Sequence, residues 1–122
     1  MPARTHGLTH LALAVVDPER SARFYEAAFG AKVYFRDANA VQVQGPGPFD
    51  VLAFERNEAD AGKAGGIQHF GFRLVAPEDV DAAVEAAVAA GGKLLRRGQF
   101  GPGQPYAYVA DPDGYEIEIW FE

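Results

Sequence analysis

The chain writes one phrase twice. GLTHLALAVVDPE begins at Gly7 and GIQHFGFRLVAPE at Gly66, an offset of 59 residues. At that offset His10 falls on His69, Pro18 on Pro77, Glu19 on Glu78 and Glu26-Ala27-Ala28 on Glu85-Ala86-Ala87. Apolar class is kept at Leu8/Ile67, Leu11/Phe70, Leu13/Phe72 and Val15/Leu74. Two copies at so long a period make a duplicated module rather than a solenoid array. A fold that follows from this is two similar halves sharing one core. The boundaries read as module 1 at 5–55, a linker at 56–65 and module 2 at 66–122, together one domain over 1–122.

Each copy opens as a strand. Leu11, Leu13 and Val15 share one face in the first, and Phe70, Phe72 and Leu74 in the second. Side chains alternate across a strand, so His10 and His69 stand on the opposite face from these apolar rows. A helix follows each. Asp17-Pro18-Glu19 offers an N-cap, a proline at the first helical position and an early acid. Ala22, Phe24, Tyr25, Ala28 and Phe29 supply the apolar stripe, and Gly30 ends it. The second copy uses Pro77-Glu78-Asp79, then Val80, Val84, Ala87 and Val88, ending at Gly91-Gly92.

Three short strands follow each helix. They are expected at Lys32–Arg36, Val41–Gln44 and Val51–Glu55, then at Lys93–Arg97, Tyr106–Ala110 and Glu116–Phe121. Asp111-Pro112-Asp113-Gly114 is the turn of a hairpin between the last two. The chain is therefore α+β, βαβββ twice, with helices on one face of the sheet and the other face free to curl round a cavity.

Composition narrows the function. With no cysteine, neither disulfides nor thiolate metal sites can form. The formal charge of −6 argues against a nucleic-acid partner. No apolar run reaches the length that crosses a membrane, and MPARTHGLTH does not read as a signal peptide. A cytoplasmic location is the expectation.

The last strand alternates sharply. Ile117, Ile119 and Phe121 form its apolar face, while Glu116, Glu118 and Trp120 point the other way. If the sheet curls with its helices outside, His10, His69 and Glu118 look into one hollow. Two imidazoles and one carboxylate form the facial-triad ligand set, which leaves positions open for substrate or oxygen. The repeat then carries one ligand per copy, with a third at the end of the second copy. The alternative is structural: single histidines on strands are more often plain surface or core residues, and His6 is read that way.

The stretches LTHLALAVVDPERSARFYEAAFG, IQHFGFRLVAPEDVDAAV and YVADPDGYEIEIW resemble the vicinal oxygen chelate superfamily. That superfamily includes glyoxalase I, type I extradiol dioxygenases, fosfomycin-resistance thiol transferases and bleomycin-resistance proteins. The resemblance implies paired βαβββ modules cupped around one divalent ion (Fe, Mn, Zn or Ni) held by His10, His69 and Glu118. Glu118 thus counts among both the metal ligands and the catalytic residues. Tyr108, ten residues before it, matches a pocket tyrosine that hydrogen-bonds substrate or moves a proton. Glyoxalase I has a fourth ligand near the end of the first module; the best register puts Ala53 there, with Glu55 two residues later on the same face. Methylmalonyl-CoA epimerase usually carries Gln where His69 stands, and the fosfomycin enzymes a Thr at Ala12. Neither of those activities is expected.

Tyr106, Trp120, Arg73 and Phe100 are weaker pocket candidates. Arg73 could pair with an anionic substrate, though a surface ion pair is the preferred reading for it. The loop from Gly98 to Pro105 around Phe100 could act as a lid. The functional expectation is a metal-dependent enzyme acting on a small oxygen-bearing substrate, with a slight lean to dioxygenase-like chemistry. Metal-dependent isomerase, lyase or thiol-transferase chemistry is an alternative. The rival from another class is a metal-free, bleomycin-resistance-like protein that sequesters a flat cationic antibiotic. The family closes its cups either within a chain or between chains. The link from Arg56 to Gly65 permits either, and in the second case His10 of one chain would join His69 and Glu118 of its partner; a homodimer with sites near the interface is expected.

Overall fold

A computed structural model describes all residues, 1–122. The elements are β1 (His10–Val15), α1 (Pro18–Phe29), β2 (Lys32–Arg36), β3 (Ala40–Gln44), β4 (Val51–Arg56), β5 (Phe70–Arg73), α2 (Asp79–Ala89), β6 (Lys93–Gln99), β7 (Pro105–Ala110) and β8 (Glu116–Trp120). This is βαβββ twice. The strands form two four-stranded sheets of matching order, β1-β4-β3-β2 and β5-β8-β7-β6. In each, the opening strand is an edge strand running parallel to the module's last strand, while the remaining pairs are antiparallel. β1 and β5 are not hydrogen-bonded to each other.

Helix α1 begins as its sequence dictates. Asp17 caps it, accepting from the Glu19 amide at 3.1 Å, and Pro18 opens it. It stops at Gly30, whose φ of 71° satisfies the last carbonyls in a left-handed turn that a Cβ would strain. Helix α2 lacks such a cap: Glu78 stands at its N-cap without a side-chain hydrogen bond.

One core joins the two halves. Leu13 and Val15 of β1, Phe24 and Tyr25 of α1, Val80, Val84 and Ala87 of α2, and Ile117 and Ile119 of β8 all belong to it. Tyr25 and Phe29 of α1 reach across to the second module. Phe29 stacks on Phe72 at 4.1 Å, and the Tyr25 ring lies between Phe54 and Phe70 at 5.1 and 6.5 Å. Such aromatic pairs add about 0.5–1.5 kcal/mol each beyond their buried area.

Polar contacts pin the same junction at the β7–β8 hairpin turn. Asp113, its side chain fully buried, accepts from the Val16 amide, the Arg20 guanidinium and the Ser21 hydroxyl. Asp111 accepts from the Tyr25 hydroxyl and from the Asp113 and Tyr115 amides. The Tyr115 hydroxyl donates to the Ala14 carbonyl on the free edge of β1. Burial pushes the Asp111 carboxyl up from its ordinary pKa, and it pushes the Tyr25 hydroxyl well up.

Candidate metal and substrate site

The register of the second sheet builds the site in rows. Gly71 of β5, Glu118 of β8, Tyr108 of β7 and Arg96 of β6 stand opposite one another in one row. Arg73, Trp120, Tyr106 and Gly98 form the next row on the same face. His69 precedes β5 and flanks the first row on the side away from the second.

The side chains of the first row touch. His69 Nε2 lies 3.6 Å from Glu118 Oε2, and the Tyr108 hydroxyl donates to that same oxygen. The His69 ring meets the Tyr108 ring edge-on at 5.1 Å. The hydrogen bond to Glu118, more than burial, pushes the Tyr108 phenol up to about 12, so it is a proton donor at neutral pH. The Arg96 guanidinium lies 4.0 Å over the Tyr108 ring and pairs with Glu116.

The donor set suits a divalent ion. His69 and Glu118 offer one imidazole nitrogen and one carboxylate oxygen on the same face, the forms a metal takes once both are deprotonated. Donor atoms 3.6 Å apart can both touch one ion whose bonds are about 2.1 Å. Gly71 keeps the edge of β5 bare beside them: a Cβ there would meet the Glu118 carbonyl oxygen at 3.0 Å and the Glu118 Cβ at 3.3 Å.

The third expected ligand, His10, shares a groove with His69. His10 and His69 line one groove of about 480 Å³ between the free edges of β1 and β5, and Glu118 does not line it. Within a single chain, no three His, Asp or Glu side chains gather in a group that could hold an ion. The first sheet also lacks a counterpart of Glu118. Ala53 sits opposite Ala12 as Glu118 sits opposite Gly71, and Glu55 lies a row further on, opposite Ala14.

The weaker candidates fall on the same face. Tyr106 stands opposite Trp120, and Phe100 stacks on Tyr106 at 4.5 Å. The Phe100–Gln104 turn is short and closed by the Phe100 amide on the Gln104 carbonyl, with Gly98 and Gln99 inside β6, so the segment is a hairpin turn rather than a long lid. Arg73 lies 5.3 Å from the Trp120 ring centre and donates to the main-chain oxygen of Glu122, the last residue, at 2.6 Å.

Sequence reasoning missed Arg96. A bulge between Leu94 and Arg96 shifts the register of β6, so plain alternation would have set Leu95, not Arg96, opposite Tyr108. It also read the Asp111–Gly114 turn only as a turn, although both its carboxylates hold the modules together.

Paired βαβββ sheets of matching strand order, with an imidazole and a carboxylate side by side on one sheet face, define a module-duplicated α+β protein. The comparisons give that class its family. A model of the Glyoxalase/Bleomycin resistance protein/Dioxygenase superfamily matches residues 7–119, and the chain belongs to this superfamily. A glyoxalase-related enzyme from Fulvimarina pelagi is 32% identical, superposes with a TM-score of 0.80, and covers 97% of this chain and 89% of its own. The fosfomycin resistance protein FosX from Mesorhizobium loti shares the fold at a TM-score of 0.78 and 19% identity, covering 98% of this chain and 94% of its own. A Brassica oleracea var. gemmifera protein named "Putative lactoylglutathione lyase" is 33% identical over 124 residues, 90% of this chain. The chain spans 42% of the length of that curated relative. No helix is long and apolar enough to cross a membrane.

Proposed function

We propose that the protein is a metal-dependent enzyme that binds a small oxygen-bearing substrate at an ion held by His69 and Glu118 of one copy and His10 of a second copy. The observation that carries this reading is the Tyr108–Glu118–His69 cluster, a carboxylate oriented by a phenol and facing an imidazole across 3.6 Å. Outer hydrogen bonds of this kind fix a ligand's orientation and tune its basicity. When bound, the ion supplies a Lewis acid that stabilises negative charge developing on a substrate oxygen. Tyr108 contributes a proton donor beside that position, and Trp120 and Tyr106 stand in the neighbouring row of the same face.

The free edges of β1 and β5 support a homodimer. Leu8 and Ile67, which match in the repeat, are both exposed two residues before the histidines. Within one chain no three His, Asp or Glu side chains gather, and a second copy lying along the edges would bring its His10 to His69 and Glu118.

Ala53 in place of a fourth carboxylate leaves an open shell, which favours dioxygenase-like chemistry if the ion is Fe(II) or Mn(II). A second reading, isomerase or lyase chemistry on Zn(II) or Ni(II), draws on the 33% identical relative. Sequestration of a flat cation fits less well, because guanidinium groups already lie over Tyr108 and Trp120.

Metal content per chain, measured on protein purified without chelator and on His69→Ala, tests the reading. About one ion per chain, lost in the variant, is the expected result. Protein that neither carries nor takes up a divalent ion sinks it. The identity of the ion then directs the assays, to oxygen uptake with catechols or to isomerisation and thiol transfer.

A further inference from the structure

The groove between the free edges of β1 and β5 has a floor that the proposed ion does not use. Its two histidines, His10 and His69, stand on the open face of the sheets, but Leu11, Leu52, Phe70 and Phe72 point the other way. These four lie on the helix side, packed against the core yet only half-buried. The groove is therefore a cleft that passes through the sheet layer. Its volume of about 480 Å³ falls among those of small-molecule sites, about 300–1,000 Å³. Its charge is one-sided: Asp50 lines it, and no lysine or arginine does. An anionic group brought into it would lose water beside a like charge, with no cation to compensate. An uncharged apolar group gains instead by covering the four half-buried side chains.

The cleft opens onto the proposed ion site. His69 is one of its wall residues, and His69 Nε2 lies 3.6 Å from Glu118 Oε2. Gly71, also in the wall, stands opposite Glu118 in the sheet and puts no side chain between the cleft and the carboxylate. We infer that the substrate of this site carries an uncharged apolar arm, alkyl or aryl, which lies in the cleft while its oxygens face His69 and Glu118. The inference rests on the proposed use of those two residues as the reacting end. A second copy offering its His10 on the open face covers the mouth, where Leu8 and Ile67 stand exposed, and leaves the floor free. Leu52, beside Leu11 in the sheet register, acts as a specificity-determining residue for the arm.

Two ligand series separate the cleft from the ion. Straight-chain primary alcohols from butanol to octanol probe the cleft alone. The matching alkyl hydroxamates add a head that chelates a divalent ion. Both are titrated by calorimetry into the protein as purified and into Leu52→Phe, Ile67→Asp and Ala82→Phe. Affinity should rise about 4-fold with each added methylene in both series. Leu52→Phe fills the floor and should flatten both. Ile67→Asp alters an exposed residue at the mouth and should weaken the longer members, so it tests the cleft even where Leu52→Phe disturbs the core. Ala82→Phe fills a separate groove of about 350 Å³ between α2 and Phe72 and should change neither series. A flat alcohol series in the unmodified protein overturns the proposal. So does a series that stays steep in both Leu52→Phe and Ile67→Asp, or one flattened by Ala82→Phe. Steep alcohols beside flat hydroxamates on metal-bearing protein overturn it too, because the cleft would then not serve the ion's ligand. Metal content is measured separately on the same samples. Protein without metal whose steep alcohol series is lost in Leu52→Phe would sink the enzyme reading and leave the apolar cleft intact.

Discussion

The Tyr25 hydroxyl donates a 2.8 Å hydrogen bond to Asp111 Oδ2, 86 positions further along the chain. The donor sits on the helix of the first module and the acceptor in the last hairpin of the second. Both are buried in the core that the modules share. Tyr25→Phe keeps the ring between Phe54 and Phe70 and removes only the hydroxyl, leaving a buried carboxylate one donor short. A loss of about 1–3 kcal/mol is expected, read from the urea midpoint at unchanged slope. A loss within error would mean that water replaces the donor and the contact does not join the modules.

The same carboxylate gives stability a pH dependence. Burial raises the Asp111 pKa in the folded protein, against the lowering by its hydrogen bonds to Tyr25, Tyr115 and Asp113. The folded state therefore holds this proton more tightly than the unfolded chain. That contribution is complete below the ordinary aspartate range and is lost as pH rises through the raised folded value. The wild type should lose stability relative to Asp111→Asn as pH is raised from about 4 to about 7. A flat or opposite trend in the paired urea midpoints would show that the hydrogen bonds outweigh burial.

The architecture was legible because local patterns carried it. Alternation along Leu11–Val15 and Glu116–Trp120 and the Asp17-Pro18 cap predicted strands and helix in the places where they stand. The family was legible in the same stretches, and the model match over 7–119 bears it out. What depended on distant partners was not legible. Asp113 reads locally as a turn residue, yet its carboxylate serves Val16, Arg20 and Ser21, more than ninety positions away. Arg96 was hidden because a single bulged residue reverses which side chains of β6 face the site. The 3.6 Å approach of His69 to Glu118 depends on how β5 packs beside β8 within the second sheet. Strand periodicity does not encode that packing.

Tyr108 orients Glu118 before any ion arrives. Its hydroxyl donates to Oε2, the oxygen nearest His69. Tyr108→Phe keeps the ring under Arg96 and the edge contact with His69 while freeing that oxygen to rotate. The divalent ion should bind about 10-fold or more weakly, as when an outer hydrogen bond to a ligand is removed. Competition with a fluorescent chelator measures this. An unchanged affinity would assign the phenol to the substrate alone.

Gly71 holds the space on the other side of the same carboxylate. A Cβ there would come within 3.0 Å of the Glu118 carbonyl oxygen and 3.3 Å of Glu118 Cβ, neither of which can retreat without moving β8, and within 3.3 Å of Trp120 Nε1. Gly71→Ala should shift the Trp120 emission maximum and reduce bound metal while leaving the fold cooperative. The first module makes the comparison natural, since Ala12 stands at the matching position opposite the small Ala53. If Gly71→Ala binds metal as the wild type does, Glu118 has more freedom than its packing indicates.

His10 and Glu118 can be assigned to different copies by pairing two defective chains. His10→Ala and Glu118→Gln should each lose metal as homodimers, since every site in them lacks a ligand. A heterodimer of the two, isolated through different tags on the two chains, behaves differently under the proposed arrangement. One of its sites combines both defects, and the other combines the intact His10 of one chain with the intact His69 and Glu118 of its partner. The pair should therefore hold about one ion. If each site were closed within its own chain, both sites of the heterodimer would carry one defect and the pair would hold none. A protein that yields no heterodimer at all, remaining monomeric at the concentrations where the wild type binds metal, would remove the second copy from the site altogether.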